Sequence, residues 1–186
     1  ATWWLIIVGA VCIAAAWLYT GSSRPYGYSG WGEVSVFIFF GPVAVLGTMY
    51  TQSGTITWWA AVASVGVGLY SVALLMVNNI RDLDTDAVAG KRTMAVRMGS
   101  HRVRQAFAAV VMLPVLVAII VSFAHPWALL ATVVALPSLY FAIAVRVDGA
   151  MRERTGMPVG TLKTVFQGLS VVGLVYGLLL AAGIWI

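Results

Sequence analysis

Charge is what this sequence has least of. Its 186 residues include 11 lysines and arginines and six aspartates and glutamates, 9% charged in all, where a soluble domain carries roughly a quarter. So few charges cannot clothe a water-soluble body of this length, and a soluble globule is excluded. The net charge of +5 and a pI near 9.7 do not indicate a nucleic-acid partner, because the polar surface on which such a binder displays its cations is missing. Cysteine is nearly absent: Cys12 stands alone in an apolar run, which rules out a disulfide or cysteine metal site within one chain. No basic stretch precedes the opening apolar run, so a cleaved signal peptide describes it poorly, and the start at Ala1 reads as a cut inside a longer protein. No internal repeat, nucleophile elbow or dinucleotide fingerprint is found, which leaves His101 and His125 without a catalytic triad.

What is abundant is apolar: 61% of the residues are hydrophobic. Runs of spanning length fall at about 3–19, 34–51, 57–77, 105–123, 127–145 and 164–186, each near the ~20 residues that a helix needs to cross the hydrocarbon layer. The expected fold is all-α, a polytopic membrane bundle of six transmembrane helices forming a single domain over 1–186, incomplete at its N-terminus. The connections at 52–56 and 124–126 carry no charge, and every charged residue falls in the other three connections. The positive-inside bias then places those three on the cytoplasmic side and both ends of the segment on the other. Gly41 with Pro42, Pro114 and Pro137 predict kinks, and Gly173 with Gly177 predict a close helix contact.

The polar residues concentrate at one place. Asn78, Asp82 and Asp86 follow the third apolar run at i, i+4, i+8, so a helix continuing straight out of that run stacks them on one face. The result is a column of hard oxygen donors at the membrane interface. Such donors suit Mg²⁺, which completes its shell with water and substrate phosphates. Asp84 points away from the column. Lys91, Arg92 and Arg97 lie just downstream and Arg24 across the mouth, cations fit for phosphate oxygens. Arg102, Arg104, Arg152 and Arg154 read instead as anchors on anionic lipid head groups.

The stretch NNIRDLDTDAVAGKRTMAVRMG, residues 78–99, resembles the second aspartate-rich motif of the UbiA-type membrane prenyltransferases, in the branch that prenylates 1,4-dihydroxy-2-naphthoate for menaquinone synthesis. Residues 19–52, YTGSSRPYGYSGWGEVSVFIFFGPVAVLGTMYTQ, resemble the same branch. The resemblance implies a nine-helix bundle of which this segment matches helices four to nine, without the first aspartate-rich motif that faces the second across a lipid-accessible cavity. It further implies that Asp82 and Asp86 bind Mg²⁺ bridging to a polyprenyl diphosphate, with Asn78 at the inner edge. Arg24 and Lys91 then hold diphosphate oxygens with Tyr19 close by, and the reaction is decarboxylating transfer to the naphthoate at the cytoplasmic face of the plasma membrane. Tyr19, Tyr26, Phe40 and Tyr70 are candidates to shelter an allylic cation. Competing expectations are another aromatic acceptor (4-hydroxybenzoate, homogentisate or haem), a non-catalytic scaffold, or a transporter subunit using the aspartates as coupling-ion ligands. Transporter sites, however, lie near the bilayer midplane.

Overall fold

The computed structural model describes residues 3–155 and 160–186. Ala1, where the cut was inferred, and part of the connection between the last two spans lie outside the described residues.

The described chain is a helix bundle: α1 (Trp4–Thr20), α2 (Gly32–Ser53), α3 (Trp58–Arg81), α4 (Leu83–Val88), α5 (Met94–Ser122), α6 (Pro126–Thr155) and α7 (Thr161–Trp185). Of these, α2, α3, α5, α6 and α7 are long and apolar enough to cross a membrane. The sixth expected span, α1, is apolar but only 17 residues long, about 25 Å at 1.5 Å per residue and so the shortest of the set against ~30 Å of hydrocarbon. Phe123, Ala124 and His125 separate α5 from α6, and each of these two helices is by itself long and apolar enough to cross.

Local chemistry starts and stops these helices. The Thr57 and Thr93 side chains accept from the amides of Ala60 and Val96, capping α3 and α5. Pro42 lacks an amide hydrogen, and around it α2 widens into one π-helical stretch, Phe39–Val43, where a kink was expected. A second break lies inside α5 at Gly99, whose φ of 77° takes a conformation open chiefly to glycine.

The charged connections prove to be largely helical. Arg97, Arg102 and Arg104 belong to α5, and Arg146, Asp148, Arg152, Glu153 and Arg154 to α6. At 29 and 30 residues these helices outrun the hydrocarbon, and arginine is a good helix former once water replaces lipid.

The core is centred on α3, which packs against α2, α5 and α7. Small residues let the backbones meet: a Cβ on Gly41 would stand 2.8 Å from the Ser64 carbonyl oxygen, and one on Gly68 would stand 2.9 Å from the Phe37 ring. Such contacts replace the missing hydrophobic drive between helices in lipid. The close contact expected at Gly173 and Gly177 is not found. A Cβ on Gly173 would meet the Tyr70 side chain at an ordinary 3.5 Å and one on Gly177 nothing within 4 Å. The bulk of Tyr70 occupies the notch, and α7 makes its tight approaches at Gly168, against the Phe141 ring, and at Gly183, against the Trp127 backbone.

Candidate active site

Four side-chain or backbone links tie the charged helix ends together at one mouth of the bundle. The Asn79 amide on α3 donates to Glu33 on α2 at 2.9 Å. Arg104 on α5 meets Asp148 on α6 at 2.9 Å. Arg152 on α6 pairs with Asp84 on α4, and the Arg92 amide donates to the Tyr28 carbonyl oxygen at 2.8 Å.

The aspartate stretch does not run straight. Asp82 closes α3 and opens α4 with φ −92° and ψ 10°. The amide ladder persists through the turn, Asp82 to the Asn78 carbonyl at 2.9 Å and Asp86 to that of Asp82 at 2.8 Å, and the two carboxylates take different partners. Arg81 Nε and Nη2 hold the two Asp82 oxygens at 2.8 and 2.9 Å. Adjacent residues do not face each other on a regular helix, so this grip goes with the departure from helical backbone. The Arg81 hydrogen bond holds the Asp82 carboxyl below its ordinary value, against a smaller opposing effect of burial. Asp86 is buried, its side chain 8% exposed, and accepts from Lys91 Nζ at 2.7 Å. Each of the three aspartates thus has its own cation. Asn78 sits half-buried one turn before Asp82.

Lys91 is placed by the backbone. The Lys91 amide donates to the Asp86 carbonyl at 3.0 Å and the Gly90 amide to that of Ala87 at 3.1 Å, with Gly90 at φ 74°. This is a Schellman ending of α4, and it needs glycine at the left-handed position. The Asp86 hydrogen bond raises the Lys91 ammonium above its ordinary value and keeps it protonated. The ammonium also stands 4.8 Å from the centre of the Tyr28 ring.

Around Lys91 opens a cavity of about 380 Å³ lined by Arg24, Pro25, Tyr28, Ser29, Ala89, Gly90, Lys91, Arg92 and Arg97. Arg24 and Lys91 are therefore brought together, with Arg92 and Arg97 beside them. Arg97 is steadied by its Nε bond to the Arg92 carbonyl at 3.1 Å and lies over Gly30, where a Cβ would stand 2.8 Å from that Nε. Tyr19 does not line this cavity. It lines a second, apolar cavity of about 450 Å³ with Cys12, Ala16, Tyr26, Ser35, Val36, Phe39, Phe40 and Val43.

One turn, Tyr26–Ser29, divides the two spaces, with Tyr26 facing the apolar cavity and Tyr28 the basic one. The Tyr26 hydroxyl donates to the Ala15 carbonyl oxygen at 2.9 Å and pairs with Ser35 Oγ at 3.0 Å, and its ring meets that of Tyr19 edge-on at 5.5 Å. Of the four aromatic candidates, Tyr19, Tyr26 and Phe40 line the apolar space. Tyr70 does not; it is buried in the core, bonded to Ser138 at 2.9 Å.

Among the described residues no group of three or more His, Cys, Asp or Glu is placed to hold a metal by itself. Two carboxylates with an amide neighbour nevertheless match the chemistry of Mg²⁺, which takes one or two protein carboxylates and fills its shell from phosphates. The donor set fits a metal brought with a diphosphate.

The pattern of one known family matches residues 1–156, and it is described as the UbiA prenyltransferase family. The chain belongs to that family. Over 153 residues, 82% of this chain and 50% of the relative, it is 45% identical to the 1,4-dihydroxy-2-naphthoate octaprenyltransferase of Mycobacterium tuberculosis (strain ATCC 25618 / H37Rv). It is 50% identical to the protein of the same name from Mycobacterium leprae (strain TN) over 67% of this chain and 42% of that one. With the 2-carboxy-1,4-naphthoquinone phytyltransferase of Synechocystis sp. (strain ATCC 27184 / PCC 6803 / Kazusa) it shares 30% over 73% of this chain and 45% of the relative. The chain spans about half the length of the curated relatives it matches. No solved structure matches it.

Several features of this UbiA-family site were missed from the sequence. Arg104 is no lipid anchor: its side chain is 4% exposed and its Nη1 bonds Asp148 at 2.9 Å and the Val145 carbonyl at 2.6 Å. A lone buried arginine is unaffordable in lipid, so an acid on the facing helix is its necessary complement. Arg152 likewise has a protein partner, Asp84. Glu33, buried against Asn79, carried one available signal as a lone acid in a stretch of glycines and aromatics. The signal for the placement of Lys91 was Gly90, a glycine directly after a short acidic helix.

Proposed function

We propose that this chain carries the diphosphate-binding half of a site that transfers a polyprenyl group from its diphosphate to 1,4-dihydroxy-2-naphthoate, with loss of the carboxylate, giving demethylmenaquinone. The observation that carries the reading is the pair of cavities divided by the Tyr26–Ser29 turn, one lined by Arg24, Lys91, Arg92 and Arg97 and the other almost wholly apolar. A polyprenyl diphosphate has these two characters at its two ends.

In this reading Arg24 and Lys91 hold the diphosphate oxygens, with Arg92 and Arg97 adding positive field. Asp82 and Asp86, with Asn78 at the inner edge, are the groups that would hold Mg²⁺. When bound, the metal neutralises charge growing on the departing diphosphate. As the allylic carbon–oxygen bond breaks, the cations stabilise the leaving group, and the rings of Tyr19, Tyr26 and Phe40 exclude water and face the developing carbocation. The electron-rich naphthoate ring captures that cation; the new carbon–carbon bond replaces the bond to the carboxylate, which leaves as carbon dioxide. The acceptor rests on the names of the relatives, the cations at the mouth of the bundle support its facing the cytoplasm, and the plasma membrane follows from the family resemblance.

The test uses membranes containing the full-length protein, supplied with Mg²⁺, a polyprenyl diphosphate and, separately, the naphthoate, 4-hydroxybenzoate or homogentisate, with prenylated product followed by mass. Product from the naphthoate is expected. Product from a monocyclic acid alone would remove the acceptor assignment and leave prenyl transfer standing.

A further inference from the structure

Two ion pairs one helical turn apart tie α6 to its neighbours. The first is internal. Arg104 and Asp148 have side chains 4% and 3% exposed, and Gly149 leaves room for the arginine stem, since a Cβ there would stand 2.6 Å from its Cδ. Four residues on, which is the same face of the helix, Arg152 reaches out to Asp84. The buried pair fixes the end of α6 against α5. The outer pair then extends that fixed point to α4.

The six-residue helix α4 is too short to hold its own orientation. It is attached at one end by the Asp82 turn and at the other by the Gly90 ending, and Asp84 lies between the two aspartates proposed to face the diphosphate. We propose that Arg152 is a positioning residue: by holding Asp84 it sets the angle of α4 about the Asp82 turn, and with it the direction in which Asp86 and Lys91 meet the diphosphate. The inference rests on the function proposed above. Asp84 contributes no ligand in this account; it is the handle by which the rest of the fold grips the aspartate helix.

The experiment compares Arg152→Gln, Asp84→Asn, the double variant and the exchanged pair Asp84→Arg with Arg152→Asp in the full-length enzyme, with Arg102→Gln, exposed on α5, as a control. Two quantities are read: the Mg²⁺ concentration that half-saturates prenyl transfer, and, without turnover, the affinity for Mn²⁺ in the presence of pyrophosphate by electron paramagnetic resonance. Each single variant should weaken both by about two- to fivefold, the range an exposed ion pair sustains, with the melting temperature unchanged. The double variant should be no worse than either single one, and the exchanged pair should recover the wild-type values to within about twofold. Additive losses, an effect of Asp84→Asn without one of Arg152→Gln, or an equal effect of Arg102→Gln would each overturn the proposal. Absence of prenyl transfer in the wild-type protein would count against the function, and the Mn²⁺ titration would still report on the pair.

Discussion

Lys91 shows how a single residue is placed by backbone and side chain together. Its amide and its ammonium both bond Asp86, at 3.0 and 2.7 Å, so the end of α4 sets the root of the side chain and the carboxylate holds its tip. Lys91→Met in the full-length enzyme should raise the Michaelis constant for the polyprenyl diphosphate about tenfold or more, as expected for the loss of a charge-assisted hydrogen bond. Gly90→Ala keeps the ammonium but strains a position at φ 74°, and should raise it by a smaller factor, about two- to fivefold. Arg102→Met, exposed on α5, should leave it unchanged. Equal constants for all three variants would return Lys91 to the role of a surface anchor.

Among the elements, α3 and α4 mark where periodicity in the sequence informs and where it stops. The apolar run ahead of Asn78 forms one helix in the structure, Trp58–Arg81, because the composition leaves no other way to satisfy its backbone in lipid. The continuation from Asn78 to Asp86 matches a single helix equally well by spacing, yet it breaks at Asp82. Spacing carries no information about the neighbouring Arg81, whose two bonds to Asp82 give that carboxylate a cation of its own. Arg104 and Arg152 were misjudged for a related reason. Their partners Asp148 and Asp84 lie 44 and 68 residues away in sequence, and only the packing of α6 shows that these arginines are held by protein. The sequence puts Arg24 across the mouth from Lys91 by its place among the charged connections, and the structure supplies the cause of their nearness in the Tyr28 and Arg92 backbone bond that joins the two loops.

At the scale of the whole molecule, charge gathers at one end. The basic cavity and the four ion pairs found among the described residues occupy one mouth, while the ring contacts of Trp4 with Tyr50 and Trp59 with His125, at 5.3 and 4.8 Å, lie toward the other. With cations on one side only, that mouth should face the cytoplasm. In a Cys12→Ser background, a cysteine introduced at Thr85 should resist an impermeant thiol reagent added outside sealed cells, whereas one at Gln52 should react. Labelling at Thr85 from outside would reverse the orientation. The central claim, that Asp82 and Asp86 act on a diphosphate and Asp84 acts only on the fold, is tested most directly by turnover of the full-length enzyme carrying Asp82→Asn, Asp86→Asn or Asp84→Asn. The first two should lower turnover by at least about a hundredfold, the scale of losing a preorganised charged group at a reacting centre, in protein that remains folded, and the third only a few-fold. Equal loss at all three positions, or full activity in Asp82→Asn, would contradict it.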